Sequence, residues 1–349
     1  MRTICARLDF NHKIGGGHLK RFLNLYKSIK INSKKILVIQ TQKKYHRTIK
    51  TLSDKNIKIF FLEKFADNKE FKLLKKLNAD HENITFIFDL CNRLKLKNKK
   101  ILFKYFKDIH FLNKIFLIDS TYKEKIINRI NKKFINGIIT PYLENKVFKY
   151  KNHFYGLKYF IFDPSAKIGN KNIKEIKKIL ISFGNSDPKN ISKFVLENIV
   201  RLGHQKDINV VIGPLFKNQL IIDLKRLQEN NIFHNIKLLN NKNKISDQLN
   251  WCDLAIVSCG LTKYEAILHK KPSIIIPIDR NSKMQAKILS KKNLIYLSNS
   301  FERLNSSQFQ KILNVVLNDK KSIYKIIKNC KKLNLDNKNH KFLKLINFK

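Results

Sequence analysis

The chain has 349 residues, of which 43% are hydrophobic and 11% aromatic, and a formal net charge of +46 at pH 7. This length suffices for two domains with separate cores, and the composition excludes a disordered chain. No secretory signal or transmembrane segment is expected, because no stretch approaches about 20 uncharged apolar residues. The five cysteines are scattered and include no Cys-x-x-Cys pair, which argues against a zinc site and fits a cytoplasmic protein.

The high positive charge raises the question of a nucleic-acid partner. Such a partner requires clustered lysines and arginines. Here the lysines run from one end of the chain to the other among Asn and Ile, as in 171–174 and 241–244. We interpret the charge as a compositional bias and expect no nucleic acid to bind. A noncatalytic polyanion-binding protein remains an alternative.

The first predicted strand, residues 3–9, leads into Gly15, Gly16 and Gly17, and a helix begins near His18. A strand, a glycine-rich loop and a helix in this order present backbone N–H groups to an anion. A histidine at the helix start adds a titratable group, and it is the candidate general base. Arg7 and Asp9, at the end of the strand, are grouped with it as catalytic candidates. The alternative is a tight turn that needs glycine only for close packing.

Short apolar runs then alternate with helical patterns, which indicates parallel sheets covered on both faces. A turn-rich segment at 162–170 separates two such series. We therefore predict an α/β protein of two doubly wound Rossmann-like domains facing across a cleft, residues 1–162 and 163–349. From Phe309 onward the sequence predicts two helices and a polar end that frays. The predicted strands after the first are 35–40, 57–62, 84–89, 115–119, 138–142, 179–184, 208–213, 236–239, 253–258 and 273–278.

Two further strand-to-helix loops carry candidate binding residues, since ligands of such sheets bind beyond the carboxyl ends of the strands. In the loop at 184–188, Ser186 or Asp187 is a candidate N-cap, with Pro188 at the first helical position. In the loop at 258–265, Thr262 and Glu265 fit a capping box. The functional alternative is a diphosphate held by the loop N–H groups, with Glu265 accepting from ribose hydroxyls.

Together these loops resemble one family. Residues 7–9 and 14–21 are similar to the R-x-D…I-G-x-G-H-x-x-R signature of UDP-2,4-diacetamido-2,4,6-trideoxy-β-L-altropyranose hydrolases, which act in pseudaminic acid biosynthesis. Residues 183–187 resemble their G-G-[ST]-D loop, and 258–266 resemble their S-x-x-x-x-x-x-E-A segment. Residues 156–159 match their G-x-x-Y run, and Asn281 stands where they carry an Asn-Gln pair. The resemblance covers about residues 1–300.

The resemblance implies a glycosyltransferase-B fold and release of UDP from a UDP-sugar by water, with His18 as general base and no metal or other cofactor. A monomer in the cytoplasm is expected, with at most weak association with a membrane surface. The implied substrate-binding residues are Gly15, Gly16, Gly17, Arg21, Tyr159 and Asn281. The implied nucleotide-binding residues are Gly184, Asn185, Ser186, Asp187, Ser258, Gly260, Leu261, Thr262 and Glu265.

The chain departs from the family pattern mainly on the sugar side. Asp89-Leu90-Cys91 replaces an Asp-His-Tyr run, Ser120 follows Asp119 where acidic residues are paired, and Ser282 follows Asn281. These departures leave two alternatives open, a divergent member that acts on a different sugar and a member that has lost activity. A glycosyltransferase of the same fold, which would use the same nucleotide loops but pass the sugar to an acceptor, is the main alternative function. The lysine-rich apolar segment 94–106 would fit a lipid acceptor at a membrane, or it is simply a solvated amphipathic helix.

Overall fold

The computed structural model of the chain describes residues 1–11, 16–90, 99–119, 134–143, 152–169, 173–240, 244–278 and 280–348. These residues form two compact units. The first unit contains Met1–Pro164 together with Asn337–Lys349, and the second contains Ser165–Asp336. The sequence boundary at 162/163 assigned the whole C-terminal segment to the second domain, whereas residues 337–349 group with the first unit.

The first unit is built on a seven-stranded sheet in the order β3-β2-β1-β4-β5-β6-β7, and every strand pair is parallel. The central strands β1 and β4 are buried on both faces, as is typical of a parallel sheet between two helical layers. The strands are β1 (Arg2–Asp9), β2 (Ser33–Gln40), β3 (Ile57–Leu62), β4 (Ile84–Asp89), β5 (Ile115–Ile118), β6 (Gly137–Thr140) and β7 (His153–Tyr155). The helices are α1 (Gly17–Ser28), α2 (His46–Leu52), α3 (Asn68–Ala79) and α4 (Lys99–Asp108).

The second unit repeats this plan with a six-stranded parallel sheet in the order β10-β9-β8-β11-β12-β13. Its strands are β8 (Lys178–Ser182), β9 (Asp207–Ile212), β10 (Asn235–Asn240), β11 (Leu254–Ser258), β12 (Ser273–Ile276) and β13 (Tyr296–Leu297). Its helices are α5 (Ile191–Ile199), α6 (Asn218–Glu229), α7 (Ile245–Trp251), α8 (Thr262–Leu268), α9 (Arg280–Lys291), α10 (Ser306–Asn318) and α11 (Lys320–Lys332). The predicted fold class, two doubly wound α/β domains, is confirmed.

The C-terminal segment is more ordered than its polar sequence predicts. After α10 and α11, the two predicted tail helices, a short third helix α12 (His340–Leu345) packs into the first unit. The Asn339 amide donates to Phe162 O at 2.9 Å and to Ser28 Oγ at 2.7 Å, and its oxygen accepts from Phe162 N at 3.0 Å. The expectation of a fraying end was wrong because it overlooked the buried apolar residues Phe342, Leu343, Ile346 and Phe348.

Each sheet has one point where the strand order reverses: from one of the two neighbouring strands the chain continues to strands on the left of the sheet, and from the other to strands on the right. In the first unit this topological switch lies between β1 and β4, and in the second between β8 and β11. Loops diverge there and leave room for a ligand beyond the carboxyl ends of the strands. All three predicted loops follow one of these four strands. Within the described part of the chain, no helix has the length and apolar character needed to cross a membrane.

Candidate functional site

The switch point of the first unit brings His18 next to Asp89. His18 lies in the first turn of α1, and its Nδ1 is 2.9 Å from Asp89 Oδ2 at the end of β4. The Asp89 side chain is fully buried, whereas that of His18 is 16% exposed. A carboxylate this close to Nδ1 favours the tautomer that carries its proton there, which leaves Nε2 as the basic nitrogen. The two atoms lie at ion-pair distance but are not aligned for a hydrogen bond, so Asp89 acts on the imidazole through its charge.

Arg21 supports this pair from the next turn of α1. Its Nη1 donates to Asp89 Oδ2, the oxygen that faces His18, and its Nη2 donates to the Tyr142 hydroxyl at 2.5 Å. Arg21 and Tyr142 are themselves buried, at 3% and 4% exposure. Arg21, predicted as a substrate-binding residue, therefore also holds the Asp89 carboxylate in place.

Arg7 and Asp9 lie at the end of β1 and form a separate buried network. The Arg7 guanidinium is 0% exposed and donates to Asp9 Oδ1 at 2.8 Å and to Glu70 Oε1 at 2.6 Å. Burial by itself lowers the pKa of Arg7, but the charges of Glu70 and Asp9 raise it above its usual value. The Tyr105 hydroxyl also donates to Glu70 Oε1, at 2.8 Å. With no exposed surface, Arg7 is placed to position Asp9 rather than to touch a ligand.

The remaining candidates of the first unit are only partly described. Gly16 precedes α1 and Gly17 is its first residue, and Gly16 O accepts from Lys20 N at 2.9 Å. Gly15 lies outside the described residues. Tyr159 ends a 3-10 turn after β7, with its ring edge-on to Phe154 at 5.9 Å between centroids, and burial raises its pKa.

In the second unit, the β8 loop (residues 183–190) turns sharply at Gly184, whose φ is +80°. The Asp187 carboxylate accepts from Ile191 N at 2.9 Å and from Ser192 N at 2.7 Å, the first two amides of α5. The prediction that Pro188 opens the helix was wrong, because α5 begins three residues later and Asp187 caps it from a preceding turn. Burial raises the pKa of Asp187, and these hydrogen bonds oppose that effect.

The shape of the β8 loop depends on a residue that the sequence did not single out. Gly213, just after β9, lies directly against the backbone of Gly184 and Asn185. Leu215 N also donates to Asn185 O at 2.8 Å. A glycine at the end of the neighbouring strand thus lets two loops touch backbone to backbone. The sequence signal for this close approach is that the predicted strand 208–213 ends in a glycine.

The β11 loop (residues 259–261) joins β11 to α8. Thr262 is the first helical residue, and Leu261 occupies the N-cap position without a side-chain hydrogen bond. The capping-box interpretation of Thr262 and Glu265 was therefore wrong. Glu265 is only 6% exposed, and its charge opposes the burial that lowers the pKa of His269 to about 4. Ser258 ends the strand, so this loop and the β8 loop flank the switch point together.

Most of the described candidate residues lie at one of the two switch points, whereas Tyr159 follows the edge strand β7 and Asn281 follows β12. Asn281 lies in the first turn of α9, and its side chain is outside the described residues. Asp89 and Tyr142 were not predicted as site residues. Asp89 ends β4 and Tyr142 lies two residues beyond β6, and this position near the carboxyl end of a strand is the signal that could have identified them.

Comparison with known proteins supports the fold. No protein-family model matches the sequence. The chain is 28% identical over 282 residues to the uncharacterized protein MJ1062 of Methanocaldococcus jannaschii. The match covers 77% of this chain and 54% of the relative, so the chain spans about half the length of the relative it matches.

Solved structures match the chain over nearly its whole length. MurG of Acinetobacter baumannii superposes with a TM-score of 0.69 at 13% identity, covering 99% of both chains. A UDP-glucosyltransferase from Polygonum tinctorium gives a TM-score of 0.67 at 11% identity, covering 100% of this chain and 99% of the other. Anabaena Alr3699/HepE, in complex with UDP, gives 0.58 at 13% identity, covering 100% and 97%. The two Rossmann-like units therefore form a glycosyltransferase-B fold.

Proposed function

We propose that the protein is a nucleotide-sugar hydrolase that releases UDP from a UDP-linked diacetamido-trideoxy hexose, in biosynthesis of the pseudaminic acid type. The observation that carries the proposal is the His18 imidazole beside the buried Asp89 carboxylate at the switch point of the first unit. The sequence motif around His18 supports hydrolysis and this sugar class. The fold, shared with a structure that contains UDP, supports the nucleotide.

In the proposed reaction, a water oxygen attacks the anomeric carbon of the sugar as the bond from that carbon to the diphosphate breaks. His18 takes one proton from the water at Nε2, and the products are the free sugar and UDP. The Asp89 carboxylate stabilises the imidazolium formed in this step, and Arg21 keeps the carboxylate oriented. No metal or cofactor takes part.

The second unit would hold the UDP. N–H groups of the β8 and β11 loops would bind the departing diphosphate, where fixed dipoles stabilise the developing charge. Glu265 would accept from the ribose hydroxyls, and Asn281 would contact the sugar or the diphosphate. Residues 184–187 and 258–262 lie at the switch point of this sheet, and this position supports the proposed roles.

Transfer of the sugar to an acceptor is the second candidate function. It is supported by matching structures that include a UDP-glucosyltransferase and other glycosyltransferases. Both reactions use the same nucleotide site and differ in what attacks the anomeric carbon. A reaction mixture without an acceptor therefore separates them.

The test is UDP release from a panel of UDP-linked amino sugars by the purified chain, with and without His18→Gln. His110→Gln is the matched control, because His110 is exposed and lies between α4 and β5, at the amino ends of the strands of the same sheet. Release that needs His18 but not His110 is the expected result. UDP binding without release would favour a transferase, and neither binding nor release would refute both.

A further inference from the structure

The β11 loop is built over a buried cation. Lys263, the second residue of α8, is only 1% exposed, although a lysine ammonium is normally solvated. Its Nζ donates to Cys259 O at 2.6 Å, to Gly260 O at 3.1 Å and to Gln285 Oε1 at 3.3 Å. Hydrogen bonds of this kind stabilise a charged ammonium in the interior.

These hydrogen bonds fix the direction of two peptide groups. In a trans peptide the C=O and the N–H point in opposite directions. Because Lys263 draws the carbonyls of Cys259 and Gly260 inward, the next amides, those of Gly260 and Leu261, point away from it. Across the described residues, neither amide donates to a protein acceptor. Gly260 is exposed and Leu261 is half-buried, so these amides are accessible.

The same loop is tied a second time to α9. Cys259 Sγ donates to Ser282 O at 2.9 Å, one turn before the Gln285 side chain that accepts from Lys263. The loop is therefore held before any ligand arrives, and a positive charge lies directly beneath its two outward amides. Fixed donors over a buried cation are complementary to a phosphate, and they need no reorganisation when charge develops on it.

We propose that Lys263 is a positioning residue for the diphosphate of the nucleotide sugar, an inference that rests on the proposed function. It does not touch the ligand, since almost none of its surface is exposed. It holds the amides of Gly260 and Leu261 toward the diphosphate and adds its charge to theirs. The β11 loop thereby supplies the positive field that aids departure of UDP.

The experiment measures binding of UDP and of uridine, by titration calorimetry and by NMR, to Lys263→Met and to a matched control. The control is Lys271→Met. Lys271 is another buried lysine of the second unit, and it donates to Asn250 O at 3.3 Å and to Cys252 O at 3.1 Å. It lies just before β12, at the amino ends of the strands, whereas the β11 loop lies at their carboxyl ends. Both variants lose a buried ammonium, and both will lower the thermal stability.

A positioning role predicts that Lys263→Met weakens UDP binding at least tenfold and changes uridine binding less than twofold. Lys263→Arg, which keeps the charge and the donors, restores most of the UDP affinity. Lys271→Met leaves the UDP-to-uridine affinity ratio as in the unmodified chain. A parallel loss of UDP and uridine binding, or an unchanged UDP affinity, would overturn the inference.

Should Lys263→Met fail to fold, Gln285→Leu decides the matter. This variant removes one acceptor of the ammonium, and the expected result is a threefold or larger loss of UDP affinity with uridine unaffected. No change in UDP affinity contradicts the role of Lys263. An unmodified chain that binds neither UDP nor uridine instead refutes the proposed function, so the two failures are distinguishable.

Discussion

Gly213 offers the sharpest test of how the second unit shapes its β8 loop. A Cβ added at Gly213 would lie 2.5 Å from Gly184 O and 2.6 Å from Asn185 C, and it would also collide with Asn185 O. Ordinary contact begins at 3.4 Å, so the backbone of the β8 loop must move by roughly 1 Å. The obstacle is main chain, which cannot rotate away as a flexible side chain would.

The expected cost of Gly213→Ala follows from this displacement. Overpacking in a closely packed region costs about 1–3 kcal/mol, and weakening the hydrogen bond from Leu215 N to Asn185 O adds about 1 kcal/mol. A loss of about 2–4 kcal/mol corresponds to a fall in melting temperature of roughly 4–16 °C for a unit of this size. Because the displaced backbone belongs to the β8 loop, we also expect UDP affinity to fall at least tenfold.

The matched control is Gly203→Ala in the same unit. A Cβ at Gly203 would have no atom within 4 Å. That substitution should be neutral or should stabilise the unit by up to about 1 kcal/mol, through loss of unfolded-state entropy. Differential scanning calorimetry and calorimetric titration with UDP measure both effects. If the two variants were indistinguishable in both measurements, the close approach of the loops would not control the site and the reasoning would be refuted.

Three other changes probe the remaining features. Asp89→Asn should lower the rate of UDP release about 100-fold or more while UDP binding persists, because His18 loses the neighbouring charge that stabilises its protonated form. An Asp89→Asn variant with unchanged kcat would contradict the role of Asp89 beside the general base His18. Burial lowers the pKa of His153 and of His269 to about 4, whereas the unfolded chain takes up these protons near pH 6.5. Each unit should therefore lose up to about 3 kcal/mol as the pH falls from about 6.5 toward 4, and urea unfolding of His153→Gln should show a flatter pH dependence. Asp187→Ala removes the acceptor for the first two amides of α5 and should cost about 1–2 kcal/mol in the same unfolding assay, whereas Asp187→Asn should cost less.

The fold class could be predicted from the sequence because the buried strands of a parallel sheet appear in it as short apolar runs. It missed β7 and β13, which have three and two residues and lie at the edges of their sheets, where half-buried residues leave little pattern. It also missed α12, whose apolar residues stand in ones and twos among lysines and asparagines. Short peripheral elements depend on tertiary contacts that a local pattern does not contain.

The candidate site was predictable in part for a similar reason. The glycine loop and the strand-end residues are local signals, and they fall at the switch points. The pairing of His18 with Asp89 is not local, because it depends on the register that sets Leu8 beside Asp89 in neighbouring strands. Likewise, nothing in the motif around Arg7 reveals that its side chain turns into the core toward Glu70.

The grouping of residues 337–349 with Met1–Pro164 has a consequence for the order in which the protein matures on the ribosome. Translation delivers the large part of the first unit early, but the segment with Phe342, Leu343, Ile346 and Phe348 only after the whole of the second unit. The second unit is contiguous and can close its core as soon as it emerges. The first unit must wait, with the apolar surface that will receive these side chains still open. The half that is made first is therefore the half that is finished last.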